Sequence, residues 1–285
     1  MTEIRGSAWL ITGAGSGIGR AVAAEAALRG ARRVVLTDRE PDGLEGAAAE
    51  VTSRGAQAVT EVVDVTDVPR LREVIEGVAG DEIGIDVLMN NAGHSLTGSF
   101  DEVPLEAFRK MIDVHLWGVV EGTHAVLPHL LGKNRGHIVN VSSVFGLIGF
   151  PFQAAYCTAK FAIRGFSESL RAELLARGSA VQVSSVHPGG VSTSIIDKGE
   201  VVGTGAGFTK DETKRFFARA ARTTPAQAAQ IICDGVAKDR PRILVGTDAR
   251  ILDAIQRTRP AGYAGVIDGQ FRKALDKIRG RHQRA

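Results

Sequence analysis

Tyr156 and Lys160 stand four residues apart in "YCTAK", in a chain that has only two tyrosines. On a helix, residues at i and i+4 project from one face, so a helix over 152–177 would set a phenol beside an amine. A phenol with its ordinary pKa of about 10 is a poor base at neutral pH, but a nearby ammonium favours the phenolate, and more so in a low-dielectric site. Such a pair suits proton exchange with an oxygen whose charge changes during reaction. Cys157 points elsewhere on the same helix and reads as a packing residue.

A second candidate is "TGAGSGIG" at 12–19. A glycine-rich turn between strand and helix lets backbone N–H groups approach a pyrophosphate, whose charge the helix N-terminus favours. Glycines also mark ordinary tight turns; the place of this run, after the first strand and before an alanine-rich helix, favours phosphate binding. Asp38 ends the second strand in "LTDRE". A carboxylate there is able to take both hydroxyls of an adenosine ribose and to repel a 2′-phosphate, which argues for NAD over NADP. Arg39 follows immediately and could accommodate such a phosphate in part.

These residues need elements to hold them. Seven runs have strand length and bounding turn residues: 8–12, 33–37, 58–63, 86–90, 137–142, 181–186 and 242–246. Several are apolar on both faces, as a sheet covered on both sides requires. Helical patterns at 20–30, 67–80 and 161–178 lie between them, often ended by Gly. This βαβ alternation predicts an α/β fold over 1–285, a single domain built on a doubly wound parallel sheet of the Rossmann type. Ligands are then expected at the carboxyl ends of the strands. Residues 192–224 are too long for an ordinary connection and read as a mobile substrate lid. The segment 270–285 is a basic tail, with Arg272, Lys273, Lys277, Arg279, Arg281 and Arg284 against Asp276; it reads as a solvated helix end or frayed terminus.

With 44% hydrophobic residues the chain can bury a full core, and a net charge of +3 is too small and dispersed to argue for nucleic acid. Two cysteines, Cys157 and Cys233, have neither metal-site spacing nor the numbers of a disulfide framework. Reduced thiols in a cytoplasmic protein are the simplest account. No run is long enough for a signal core or a membrane span.

"TGAGSGIG", Asp64 and Val65, "NNAG" at 90–93, "VNVSS" at 139–143, "YCTAK" and "PGGVST" at 188–193 occur in the order and approximate spacing of the short-chain dehydrogenase/reductase family, which the chain resembles over about 5–250. The resemblance implies a nicotinamide-dependent oxidoreductase. It implies Gly13, Ser16, Gly17, Ile18 and Gly19 at the pyrophosphate, Asp64 and Val65 near the adenine, and Asn91 and Gly93 beside the ribose. Pro188, Gly189, Val191 and Thr193 would stand at the nicotinamide end, with Val191 near its amide. Tyr156 would be the acid/base. Lys160 would lower its pKa and bind the nicotinamide ribose, and Ser143 would hydrogen-bond the substrate oxygen. Ser142 is the weaker candidate for that last role, because strand alternation and family spacing both favour its neighbour.

The family usually carries an asparagine where "DVHLWG" places His115. A neutral histidine offers one donor and one acceptor and titrates near pH 6.5 when unperturbed. It could therefore substitute for the asparagine in a proton relay, make that relay pH-sensitive, or impair it. His94 and His187 read as structural, with His94 near enough to NNAG to line a pocket. Leu96, Val144, Phe145, Leu147, Phe150, Phe152, Ile195 and Ile196 suggest a site for a hydrophobic secondary alcohol or ketone, with little to hold a phosphate or dicarboxylate. Family resemblance also implies pairing through helices at 105–131 and 152–177 into a homodimer or homotetramer. A catalytically silent dinucleotide-binding module stays open beside the enzyme, while nucleic-acid binding through the tail is remote.

Overall fold

The computed structural model describes residues 1–195, 199–202 and 209–282. Its strands are β1 (Ala8–Thr12), β2 (Arg33–Asp38), β3 (Gln57–Val62), β4 (Val87–Asn90), β5 (Leu96–Thr97), β6 (His137–Val141), β7 (Gln182–Pro188), β8 (Glu200–Val201) and β9 (Arg242–Val245). Its helices are α1 (Gly17–Leu28), α2 (Pro41–Ser53), α3 (Val68–Gly80), α4 (Leu105–Ile112), α5 (Gly118–Lys133), α6 (Ala154–Ala176), α7 (Lys210–Ala220), α8 (Pro225–Ala237), α9 (Thr247–Thr258) and α10 (Tyr263–His282).

Seven strands form one parallel sheet in the order β3-β2-β1-β4-β6-β7-β9. Alternate side chains of each strand feed two cores, because successive residues point to opposite faces. On β1, Trp9 and Ile11 pack under α1, α2 and α8, whereas Leu10 joins Val35, Leu88 and Ile138 under α3, α5 and α6. Helices bury both faces of the central strands, which accounts for their unbroken apolar runs, whereas edge strand β3 is only partly buried. The strand order reverses between β1 and β4, so a crevice opens at their carboxyl ends.

The seven expected strands are present, with ends shifted by at most two residues. The small β5–β8 pairing was not expected: Leu96 and Thr97 pair with Glu200 and Val201. Within 192–224, α7 is a regular helix opened by a Thr209–Glu212 capping box. Ile196 and residues 203–208 of the expected lid lie outside the described residues, as does Arg284 of the tail.

The tail continues α10 as a helix end with Arg272, Lys273 and Asp276 exposed, as expected, but α10 also packs its other face back onto the molecule. Tyr263 Oη accepts the Gly149 N–H at 3.1 Å, and Ile267 is buried against Leu147 and Ile148. Phe271 meets Phe150 and Phe216 edge-to-face and Phe152 at a tilt, at centroid distances of 5.5, 5.4 and 5.9 Å. Phe152 holds a left-handed φ of 61°, which costs a side-chain-bearing residue about 1–2 kcal/mol. Its carbonyl bond from the Gly98 N–H at 3.0 Å and its contact with Phe271 hold it there. Among the described residues no helix is long and apolar enough to cross a membrane.

Candidate active site

The turn after β1 approaches β4 more closely than any side chain would permit. A Cβ on Gly13 would lie 2.8 Å from Ala92 Cα, and one on Gly19 would lie 2.3 Å from the Gly13 carbonyl oxygen. Asn91 locks this approach: its Nδ2 donates to the carbonyls of Thr12 at 2.9 Å and Gly13 at 3.1 Å. The expected ribose residue is therefore also a strut of the turn. Ser16, the N-cap of α1, makes no side-chain cap, so the N–H groups of Gly17 and Ile18 at the start of α1 are left to another acceptor. Thr193 closes the far side, since a Cβ on Gly17 would meet its methyl at 3.3 Å.

Asp38 faces the turn from the end of β2. Its carboxylate accepts the N–H groups of Gly15 at 3.0 Å and Glu40 at 3.1 Å. Arg39 turns away to Glu40, 3.3 Å from its carboxylate. Asp64 Oδ1 accepts from the Thr66 N–H and hydroxyl at 2.9 and 2.7 Å. Burial favours its neutral form, but those bonds, with Arg39 and Lys110, hold its pKa below the ordinary value. Val65 beside it is buried and packs on Gly118. A glycine turn that only glycine fits, an uncapped helix start and an acid at the neighbouring strand end together suit a dinucleotide's diphosphate and ribose.

Ser143, Tyr156 and Lys160 meet at the carboxyl end of β6. Lys160 is buried and its Nζ donates to the Val141 carbonyl at 2.8 Å, 5.5 Å from the centre of the Tyr156 ring. Burial pushes its pKa down to about 7. Burial likewise pushes the Tyr156 phenol up to about 12, against a hydrogen bond with Ser143 that lowers it. The expectation that Lys160 holds the phenol below its usual value is thus not met in this arrangement. Desolvation acts on both groups and drives each toward its neutral form.

Ser143 is held from both sides. Its Oγ accepts the Phe145 N–H at 3.1 Å, and its carbonyl pairs with Nδ1 of buried His187 at 2.9 Å. Ser142 instead donates its hydroxyl to the Lys160 carbonyl at 2.8 Å, fixing α6 against β6. The two adjacent serines therefore have different jobs, as strand alternation requires.

His115 sits where α4 and α5 join through a π turn, Asp113–Trp117, closed by the Gly118 N–H donating five residues back to Asp113. Such single π turns re-aim side chains inside helices. The ring is buried, 5.5 Å from the Tyr156 ring and 5.3 Å from His94. Nε2 pairs with the His94 backbone, to N–H at 3.0 Å or C=O at 2.9 Å according to tautomer, and Nδ1 has no partner. Burial, then the charges of Lys160 and His94, hold its pKa well below the ordinary value. This favours its neutral form and weighs against the pH-sensitive reading. Gly93 makes room for it, since a Cβ there would lie 2.4 Å from the ring.

A cavity of about 1180 Å³ adjoins these residues, lined among others by Ser143, Phe145, Phe150, Tyr156, Val191 and Phe217. Val144 and Ile195 of the expected apolar set also line it, whereas Leu96 and Leu147 are buried in the core and Phe152 faces α10. The cavity is not wholly apolar, contrary to expectation: Lys214, Arg215, Arg219, Arg222 and Arg250 also line it.

Sequence reasoning missed Asp248, in the first turn of α9. Its Oδ2 accepts the Gly190 N–H at 2.7 Å, and a Cβ on Gly189 would lie 2.2 Å from that oxygen. Gly189 N–H donates to Val245 at 2.9 Å, and Val191 bridges to Thr223. The Pro188–Thr193 segment is thereby pinned from behind. A first-turn acid after Gly246 was visible in the sequence, but not its partner.

Residues 7–200 match the family model described as short chain dehydrogenase. A protein of Mycobacterium tuberculosis (strain H37Rv) carrying the name oxidoreductase SadH is 38% identical over 268 residues, 94% of this chain and 96% of that one. A 1-deoxy-11-beta-hydroxypentalenate dehydrogenase from Streptomyces exfoliatus is 36% identical over 246 residues, 85% of this chain and 84% of that one. Among solved structures, a short chain dehydrogenase/reductase from Burkholderia phymatum in complex with NAD superposes with a TM-score of 0.81 at 26% identity, over 91% of this chain and 95% of that one. Other solved neighbours hold NAD or NADPH, so the fold leaves the choice between them open.

The buried histidines make acid stability a test of this packing. His137 and His187 are held to about 4 by burial, and His115 is lowered in the same way. Each folded-state pKa lies below the unfolded value of about 6.5, so the unfolded chain binds more protons as pH falls. Their contribution is full above about pH 6.5 and is lost toward pH 4, at up to about 1.4 kcal/mol per pH unit for each group. Tm measured by circular dichroism should therefore fall steadily across that window; a level Tm there would contradict the neutral, buried assignment.

Proposed function

As a member of the short chain dehydrogenase family, this chain is an oxidoreductase, and we propose that it moves a hydride between a nicotinamide cofactor, NAD in preference to NADP, and a secondary alcohol or ketone with an apolar body. The observation that carries this reading is the meeting of Ser143 and Tyr156, on the wall of a cavity that Val191 and Thr193 also line, with buried Lys160 beneath the Tyr156 ring. Gly13, Ser16, Gly17, Ile18 and Gly19 would hold the diphosphate, Asp38 the adenosine ribose, and Asp64 and Val65 the adenine edge. Asn91, Gly93 and Lys160 would hold the second ribose, and Pro188, Gly189, Val191 and Thr193 the nicotinamide. The cofactor supplies the hydride acceptor or donor.

The chain's own part is the proton. Tyr156 keeps its proton at neutral pH and is ready to give it to a carbonyl oxygen as that oxygen gains charge. Ser143, fixed by Phe145 and His187, donates a second hydrogen bond to the same oxygen. In the reverse direction the phenol must first lose its proton, and Lys160, poised near pH 7, can take on the positive charge that makes this affordable. Neutral His115 leaves Nδ1 available as one donor or acceptor beside Lys160, which supports the substitute-relay reading over a pH response.

Asp38 supports NAD because a carboxylate at the end of β2, facing the glycine turn, would repel a 2′-phosphate bound beside it, while Arg39 is engaged with Glu40. We infer as well that copies pair through α4, α5 and α6, where Leu105, Trp117 and Phe161 are 62%, 52% and 39% exposed.

Turnover of apolar secondary alcohols with NAD should fall by about a hundredfold or more in Tyr156→Phe while NAD affinity is kept. Tight NAD binding with no turnover in either protein would instead favour a silent binding module. In titrations the wild-type chain should prefer NAD by at least about tenfold, and Asp38→Asn should narrow that gap; equal or tighter NADP binding by the wild type overturns the cofactor assignment. Light scattering should report two or four chains per particle, with Trp117→Glu shifting toward one; a wild-type monomer at micromolar concentration contradicts the pairing.

A further inference from the structure

The basic wall of the cavity calls for an explanation that hydride transfer does not supply. Elsewhere the chain commonly gives its arginines a carboxylate: Arg20 meets Glu50, Arg33 meets Asp81, Arg72 meets Glu121 and Arg242 meets Asp253. Arg219, Arg222 and Arg250 are exposed and have no carboxylate partner among the described residues, and all three line the cavity that also holds Tyr156. Asp248, the single carboxylate among the described lining residues, is already engaged by the Gly190 N–H. Unrelieved like charges around a concave, partly apolar surface focus a positive potential into it.

Two anions could answer that potential. One is the cofactor's diphosphate. Arg222 is placed for it, because it precedes Thr223, whose backbone bridges Val191 in the segment that reaches Gly17 through Thr193. Arg219 and Arg250 are placed differently. Arg219 follows Phe217 on α7, and Phe217 packs on Phe145, whose ring in turn lies 6.2 Å from Tyr156. Arg250 precedes Ile251 and Leu252 on α9, which also line the cavity. Each is a cation beside an apolar wall, and that pairing suits an amphiphile.

Resting on the oxidoreductase reading above, we propose that the substrate is an apolar secondary alcohol or ketone that carries a carboxylate remote from its reacting carbon. The apolar body lies against Phe145, Phe150 and Phe217, and Arg219 and Arg250 receive the carboxylate. Guanidinium groups suit this role because they present paired donors to a planar carboxylate.

The experiment uses a mid-chain ketostearic acid and its methyl ester, which share one apolar body and differ in charge. With the chain saturated in NAD, the acid should bind at least about tenfold more tightly than the ester in calorimetric titration. The double variant R219Q/R250Q should weaken binding of the acid about tenfold, with the ester and NAD affinities unchanged. Raising the salt concentration should erode the acid's advantage. The proposal is overturned if acid and ester bind alike, or if the double variant weakens NAD and leaves the acid unaffected, which would give these cations to the cofactor. Failure of the oxidoreductase reading would look different: the acid would still be preferred in binding, but hydroxystearate turnover would not depend on Tyr156.

Discussion

The structure depends on backbone meeting backbone at the carboxyl edge of a parallel sheet. Where β1 and β4 diverge, the Gly13 turn lies against Ala92 so closely that a single added carbon at Gly13 or Gly19 would collide with main chain. Asn91 ties that contact with two hydrogen bonds to the turn's carbonyls. Because the contact is between backbones, it fixes the height of α1 over the sheet, and hence the direction in which the uncapped N–H groups of α1 point. Asp38, Thr193 and the Pro188–Thr193 segment are then set around that opening. The same edge repeats the device at Gly189, where the absence of a side chain lets the Asp248 carboxylate sit against the strand end.

Desolvation governs the chemistry at this edge more than pairwise charge does. Lys160, Tyr156, His115 and His187 are each pushed toward neutrality by burial. A site built this way can hold several titratable groups within a few ångströms without the repulsion that charged forms would bring. On the proposed reading, proton transfer is then a small rearrangement among neutral groups, with Lys160, at about 7, the one nearest to changing its charge. The hydrogen bonds do the positioning: Val141 holds the amine, His187 and Phe145 hold Ser143, and the π turn aims His115 at Tyr156.

The outer wall is made by segments far along the chain. The aromatic side of the cavity comes from 145–150 and from α7, and α10 returns to hold both through Tyr263, Ile267 and Phe271. That return explains why the terminal region carries aromatic residues among its basic ones. The left-handed Phe152 lies where these segments converge, and contacts from Gly98 and Phe271, in two other parts of the chain, bear its strain.

How much was legible beforehand follows from the range of each interaction. Strand and helix periodicity is local, so the seven strands, the glycine turn, Asp38 at its strand end and the i, i+4 placing of Tyr156 and Lys160 could be read directly. Strand alternation likewise separated Ser143 from Ser142. Tertiary structure alone decided the rest, because each case joins residues that no local period relates. Asp248 meets Gly190 from another element, Phe271 reaches Phe150 across the chain, and Arg219 and Arg250 come to one cavity from separate helices. The direction of the Tyr156 shift belongs to this second group as well, since burial depends on everything packed around the phenol, whereas the sequence shows only the lysine one turn away.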